Sequence, residues 1–348
     1  MAGAAAAAPG AGQTLVRLQR KVRVGLVGLA GHTGEILGEL PRLPDVELAA
    51  VSETDPQLLE AFGRRAGMTS VPRYADHARM LEQEKPDIAA VCTPNGGRAA
   101  VIIDCLRRGC HVIAEKPLAL TAEELAAVRA ARQSAGTGLS MLLPMRFSPP
   151  YLALRQIVES GEIGEVCQIA SQKSYQAGDR PAWMRHRETY GGTIAWIGIH
   201  MIDLMRWASG REFREALSWT AHIAFPELGD MENVTASLFR LDNGGLATLR
   251  MDYLRPPGAG SHGDDRLRLA GTKGVAEYQA ATGVTVLAGN RPPRRVETLP
   301  EAQSVFVDFL GAVYLNRPAA LSLGDIYRVN EITIAAQRSA ETRAAVGC

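Results

Sequence analysis

Val22-Arg23-Val24-Gly25-Leu26-Val27 is followed by Gly28-Leu29-Ala30-Gly31-His32-Thr33-Gly34, and these thirteen residues decide how the chain is read. An apolar run of strand length stops on a glycine-rich turn, and a helical stretch follows through about Leu40, closed by Pro41 and Pro44. A turn that brings backbone against a pyrophosphate needs residues without bulk, and the helix behind it presents its first amides to the anion. Two registers fit. Gly28, Ala30 and Thr33 occupy a G-x-G-x-x-G spacing with two substitutions, whereas Gly28, Gly31 and Gly34 give G-x-x-G-x-x-G. The context points to a dinucleotide, because a second apolar strand, Val46 to Val51, precedes an acid at Glu53. A carboxylate there accepts hydrogen bonds from ribose hydroxyls and repels a 2′-phosphate. Repulsion between unit charges at ~4 Å is roughly 1–4 kcal/mol for effective dielectrics of 80 to 20. That is about one to three orders of magnitude in favour of NAD over NADP.

Outward from this turn the rhythm persists. Helices are expected at Gln57 to Ala66, Ala75 to Gln83, Ala99 to Arg108 and Thr121 to Ser134. Strands are expected at Asp87 to Cys92, His111 to Glu115 and Gly138 to Leu143. Strands alternating with helices of this length make βαβ units and a parallel sheet, an α/β Rossmann-type doubly wound domain over 21–145. After that the pattern changes. Helices at Pro149 to Glu159 and Ile199 to Ala208 are interspersed with strand-like runs beginning at Glu165, Glu215, Val234, Leu246, Arg266, Gly274 and Val284. Asp242-Asn243-Gly244-Gly245 is hairpin chemistry. Successive strands without helices between them imply an antiparallel sheet, so 146–348 is read as an α+β domain, finished by helices at Ala302 to Leu315 and Leu323 to Glu341. Residues 1–20 are read as a disordered tail. Its start, MAGAAAAAPGAGQ, has neither the basic nor the bulky apolar region of a signal peptide.

Composition narrows the function classes. With 348 residues, 38 Lys+Arg against 37 Asp+Glu and a net charge of +1, nothing favours nucleic acid or an anionic membrane as partner. The richest apolar stretch, Thr193 to Met205, is broken by His200 and Asp203. The five cysteines form no C-x-x-C pair and no metal-ligand spacing, so no metal is expected, and reduced thiols suit a cytoplasmic protein.

Gly109-Cys110-His111-Val112-Ile113-Ala114-Glu115-Lys116-Pro117 places an acid, an amine and a proline at the C-terminal end of a parallel strand, the edge where open α/β sheets bind ligands. An X-Pro bond there can be cis. Taken with Thr93-Pro94-Asn95, Gly198-Ile199-His200-Met201-Ile202-Asp203, Ser160-Gly161-Glu162-Ile163-Gly164-Glu165-Val166 and Gly271-Thr272-Lys273-Gly274, this run resembles the glucose–fructose oxidoreductase / inositol dehydrogenase / rhizopine-catabolism (Gfo/Idh/MocA) family. The resemblance extends from about Val22 to Thr342. It implies an NAD(P)-dependent dehydrogenase or reductase acting on the CH–OH group of a sugar, polyol or sugar-acid-like small molecule. It also implies that 146–348 carries a large open antiparallel sheet used for substrate binding and for homodimer or homotetramer contacts. Thr93, Pro94, Asn95, Glu115 and Lys116 would lie against the cofactor. Lys116 would hydrogen-bond the reacting oxygen, and His200 would accept or donate its proton. The chemistry suits these residue types, since hydride removal from an alcohol needs a base and a cation stabilises developing oxyanion character.

The sequence departs from the family at two positions. Trp196 stands where relatives have an Asp four residues before the histidine, and Arg98 stands where many carry a histidine. An indole accepts no proton; it offers one N–H and an apolar face. The resemblance makes the stretch from Arg180 to Gly192 a pocket lining. Trp183 is then a candidate to stack on a sugar ring, Arg185 and His186 to bind hydroxyls or a carboxylate, and Glu188 or Tyr190 to replace the missing acid. Arg146, Trp196 and Asp203 complete the candidate substrate contacts. Two other functions fit the same residues: an NAD-retaining glycosidase-type enzyme, and a non-catalytic dinucleotide-binding regulator, which Trp196 would favour.

Overall fold

The computed structural model describes residues 16–348. They divide into two compact units. One runs to Leu142 and takes in Ser304–Tyr327; the other comprises Leu143–Gln303 and Arg328–Cys348.

The first, nucleotide-type unit is built on strands β1 (Val22–Val27), β2 (Val46–Ser52), β3 (Arg73–Tyr74), β4 (Ile88–Val91), β5 (His111–Ala114) and β6 (Leu139–Met141). Their order is β3-β2-β1-β4-β5-β6, and every pair is parallel. That is the doubly wound order, with its switch point between β1 and β4. The central strands are apolar without alternation because both faces are covered; β4 is buried along its whole length. Asp55 caps the helix Pro56–Gly63, and Thr121 caps Ala122–Ala135, which ends on Gly136 in the left-handed region. The helix expected to run to Leu40 is shorter. It spans Gly34–Leu37 and gives way to a 3₁₀ turn at Leu40–Arg42. Pro41 has no N–H for the carbonyl of Leu37, and its ring would collide with that carbonyl.

Two expected boundaries move. Of the tail assigned to 1–20, residues 1–15 lie outside the described residues. Beyond them Val16 is buried, the Leu18 N–H donates to Asp45 at 3.1 Å, and Arg20 pairs with Asp87 at 2.7 Å. Nor is 146–348 a single unit. The helix Val305–Tyr314 returns to the nucleotide unit, burying Val305, Phe306, Phe309 and Leu310 and setting Tyr314 edge-on to His111 at the start of β5.

The second unit carries β7 (Val166–Tyr175), β8 (Phe213–Ala221), β9 (Val234–Leu241), β10 (Leu246–Asp252), β11 (Gly263–Gly271), β12 (Gly274–Gln279), β13 (Gly283–Ala288), β14 (Arg294–Arg295) and β15 (Val346–Gly347). They form one sheet in the order β14-β13-β12-β11-β7-β10-β9-β8-β15. The expected antiparallel pairing holds except at one place. β7 enters between β11 and β10 and runs parallel to β10, because no hairpin links those two strands. In β9 and β10 buried and exposed residues alternate strictly, so one face is packed and the other open. The helices Pro149–Glu159 and Ile199–Ser209 pack on the covered face. Among the described residues no helix is long and apolar enough to cross a membrane.

Candidate active site

The glycine turn leaves β1 and is stitched to both neighbouring strand ends. The Gly28 N–H donates to the Ser52 carbonyl at 2.7 Å, and the Ala30 N–H to the Cys92 carbonyl at 2.8 Å. Gly28 and Gly31 both have positive φ, 83° and 69°. A Cβ on Gly28 would press on the backbone of Cys92, and one on Gly31 would overlap the Glu115 carboxylate. At Gly34 a Cβ would meet open space. Only the first two positions therefore demand glycine, for close approach as well as for φ. Of the two registers, the spacing Gly28 to Gly31 carries the constraint. Ala30 and Thr33 line the turn without constraining it.

Glu53 follows β2 and leans over this turn. Its carboxylate accepts the N–H of Leu29 at 2.9 Å and that of Asp55 at 3.0 Å. An acid fixed at the C-terminal end of the second strand is where a dinucleotide's ribose hydroxyls would be received.

Glu115, at the end of β5, is fully buried. Its carboxylate accepts the backbone N–H and the Nδ1 of His32, and the N–H of Lys116 at 2.7 Å. Burial pushes its pKa up, but His32, Lys116 and Arg98 outweigh burial and bring it to about 2. Glu115 thus remains an anion at neutral pH and fastens the glycine turn to the strand that carries Lys116. The Lys116 side chain is 1% exposed, and the Lys116–Pro117 bond is cis. On the adjacent strand end, Asn95 is buried, and the Thr93 hydroxyl is buried with no hydrogen-bond partner among the described residues. A buried hydroxyl left without a partner at this edge is a polar group waiting for a ligand. Gly28, Gly31, Glu53, Thr93, Asn95, Glu115 and Lys116 are thus gathered at one edge of the sheet, and together they fit a dinucleotide. His32 joins these residues unforeseen; its signal in the sequence is a titratable side chain inside a glycine turn.

In the second unit, His200 and Asp203 share a face of the helix Ile199–Ser209, both buried. A π-helical turn, Ile194–Gly198, precedes it and carries Trp196. Such turns are uncommon and often mark functional sites. Trp196 meets Trp183 edge to face, with ring centroids 5.2 Å apart at 83°. The two indoles form a half-buried aromatic corner, while Arg185 and His186 are exposed beside it. Neither candidate for the missing acid is placed to serve as one. Glu188 is exposed, and the Tyr190 hydroxyl is buried against Thr193 at 3.0 Å and Tyr253 at 3.2 Å, with burial pushing its pKa up.

Arg146 and Asp203, expected to face substrate, hold each other. Arg146 Nε donates to Asp203 Oδ2 at 3.0 Å and its Nη2 to Oδ1, and the guanidinium lies over the Trp207 ring. A second buried cation in this unit is Lys173. Lys173, on β7, bonds Asp265 at 2.8 Å and lies 4.8 Å from the Tyr175 ring centroid. Burial would pull its pKa down, but Asp265 and Tyr175 hold it above the ordinary value. Its signal was faint, because a lone lysine in a strand reads as an outward-facing residue.

Comparison with known proteins gives a consistent answer. Residues 22–142 match the model of an oxidoreductase family with an NAD-binding Rossmann fold, and residues 151–277 match the GFO/IDH/MocA C-terminal domain. The chain is 30% identical over 192 residues to D-glucoside 3-dehydrogenase of Escherichia coli, 54% of this chain and 53% of that one. It is 26% identical to myo-inositol 2-dehydrogenase of Thermotoga maritima, over 73% of this chain and 74% of that one. A solved structure from Thermotoga maritima superposes with a TM-score of 0.88 at 30% identity, covering 94% of this chain and 100% of the other.

Proposed function

The chain belongs to the Gfo/Idh/MocA family of NAD-binding oxidoreductases, and on that premise we propose that it moves a hydride between NAD and a sugar, polyol or sugar-acid-like substrate at a CH–OH carbon. The observation that carries this reading is the buried Lys116, whose backbone N–H is held by Glu115 at the C-terminal edge of the nucleotide sheet. NAD, when bound, supplies the hydride acceptor. Lys116 donates a hydrogen bond to the substrate oxygen and stabilises the negative charge that develops there. His200 takes the hydroxyl proton in oxidation and returns it in reduction. The Trp183–Trp196 corner offers an apolar face to a sugar ring, in place of the carboxylate that Trp196 replaces. Arg185 and His186 beside it suit hydroxyls or a carboxylate. Relatives named for glucosides and inositol support the substrate class.

The test is single-turnover absorbance of reduced nicotinamide, with NAD-loaded protein mixed against sugars, polyols and sugar acids. A signal with one substrate class supports the reading. Tight NAD binding with no reduction across the panel overturns it in favour of a cofactor-retaining or regulatory protein.

Glu53 underlies the choice of NAD over NADP. Glu53→Ser is expected to shift the ratio of NAD to NADP affinity by at least about tenfold toward NADP, the lower end of the charge repulsion it removes. An unchanged ratio would take Glu53 out of the cofactor site.

The open sheet face of the second unit exposes Trp219 at 52% and Leu238 at 37%, flanked by Arg250, Arg266 and Arg268. Apolar area of this kind rimmed by charge suits self-association as a homodimer or homotetramer. Trp219→Glu is expected to lower the sedimentation mass toward the monomer, and an unchanged mass would place the contact elsewhere. Free cysteines, three of them buried, suit a cytoplasmic location.

A further inference from the structure

Arg98 opens the helix Arg98–Arg107 and has no exposed surface. Arginine is almost never fully buried unless its charge is answered by partners. Burial draws its pKa down to about 10, against the pull of Glu115 and Cys92, so it stays cationic at neutral pH. Its hydrogen bonds go to two backbone carbonyls. Nη1 donates to Pro117 O at 2.8 Å, and Nη2 donates to Thr93 O. The Arg98 backbone N–H also donates to the Asn95 carbonyl at 3.3 Å.

Those carbonyls belong to two different loops. Thr93-Pro94-Asn95 follows β4, and Glu115-Lys116-Pro117 follows β5. Both lie on the β4–β6 side of the switch point, over which the second nucleotide of a dinucleotide is bound. Lys116 is thereby gripped twice along the backbone, at its own N–H by Glu115 and one residue later, at the Pro117 carbonyl, by Arg98. A planar guanidinium reaches two acceptors at once through a fixed fork, which a single ammonium does not.

We propose that Arg98 is a positioning residue for the nicotinamide half of the cofactor site, its guanidinium tying the Thr93 loop to the Pro117 loop and so fixing both the Lys116 backbone and the gap that receives the nicotinamide ring. The inference rests on the cofactor reading above but not on the identity of the substrate. The guanidinium of Arg98 donates to the Thr93 and Pro117 loops, not to the glycine turn or Glu53 that serve the adenosine half, so the two halves of the cofactor should respond differently to its loss.

The experiment titrates wild type, Arg98→Lys and Arg98→Met with two probes: NADH by fluorescence, and ADP-ribose by calorimetry. ADP-ribose keeps the adenosine and both phosphates but lacks the nicotinamide ring. Both variants should bind NADH at least about tenfold more weakly, ~1.4 kcal/mol. Their bound NADH should also lose part of the emission enhancement that a rigidly held ring shows, while ADP-ribose affinity stays within about twofold, ~0.4 kcal/mol by the same conversion. The lysine variant should fail to restore either NADH signal. Equal weakening of both probes, no weakening of NADH, or full function in Arg98→Lys would overturn the proposal. So would variants too unstable to bind ADP-ribose, which would make Arg98 a folding residue. Wild type that binds neither probe would overturn the cofactor reading itself, whereas hydride transfer plays no part in this test.

Discussion

Lys116→Ala is expected to lower single-turnover hydride transfer by about 10²–10⁴-fold, the range supplied by one positioned proton-transfer or charge-stabilising group. NAD affinity should change far less. The reason lies in what the substitution spares. The backbone N–H of Lys116 remains to bond Glu115, and the His32 contacts to that carboxylate do not involve the lysine side chain. The cradle around Gly28, Gly31 and Glu53 stays intact, so the loss should fall on the chemical step. Stopped-flow absorbance at saturating NAD measures it, with Lys116→Met as a second variant that keeps most of the buried volume. A variant that reduces NAD at the wild-type rate would remove Lys116 from the reaction. A variant that no longer binds NAD would make it a cofactor-binding residue instead.

Asp203→Ala should strongly destabilise the second unit. Arg146 and Asp203 are 1% and 2% exposed at the side chain and share a bidentate ion pair. Removing one member leaves the guanidinium charged and buried, a cost of about 3–5 kcal/mol. For a unit of this size that corresponds to a fall in melting temperature on the order of 10 °C. The desolvation argument also predicts the remedy. Replacing both partners, Arg146→Met with Asp203→Leu, removes the charges together and should recover most of the loss. Thermal unfolding of the three variants measures this. A single variant as stable as wild type would show that the pair is solvated. A double variant no better than the single would show that the loss is one of packing alone. The pair also joins the 3₁₀ turn Pro144–Phe147 to the helix that carries His200. A folded Asp203 variant should therefore report on the placement of that histidine.

The legible parts of this protein share one property: they are written in neighbouring residues. The apolar run Val22–Val27, the glycines after it, the acid beyond the second strand and the alternation of β9 and β10 are local patterns, and local sterics and periodicity fix what they become. The Glu115-Lys116-Pro117 run, which carries the family resemblance, is likewise a pattern of neighbouring residues. The first helix stops at Leu37, a few residues short of its apolar pattern, because the effect of Pro41 reaches one turn upstream.

What the sequence leaves open is every pairing across long separations. Nothing near Glu115 says that it will receive His32, and nothing near Arg98 says that its fork will close on Thr93 and Pro117. Arg146 and Asp203 were each legible as polar residues in an apolar setting, yet that they answer each other depends on how a turn and a helix dock. The same holds for β7 lying parallel to β10 and for the helix Val305–Tyr314 returning to the nucleotide unit. The order of elements, the turn that receives a dinucleotide and the amine beside it follow from short-range geometry and are readable along the chain. Which buried charges are partners is set by packing, since a charge withdrawn from water is tolerated only where packing brings it an opposite charge or a carbonyl, and packing is a property of the whole unit.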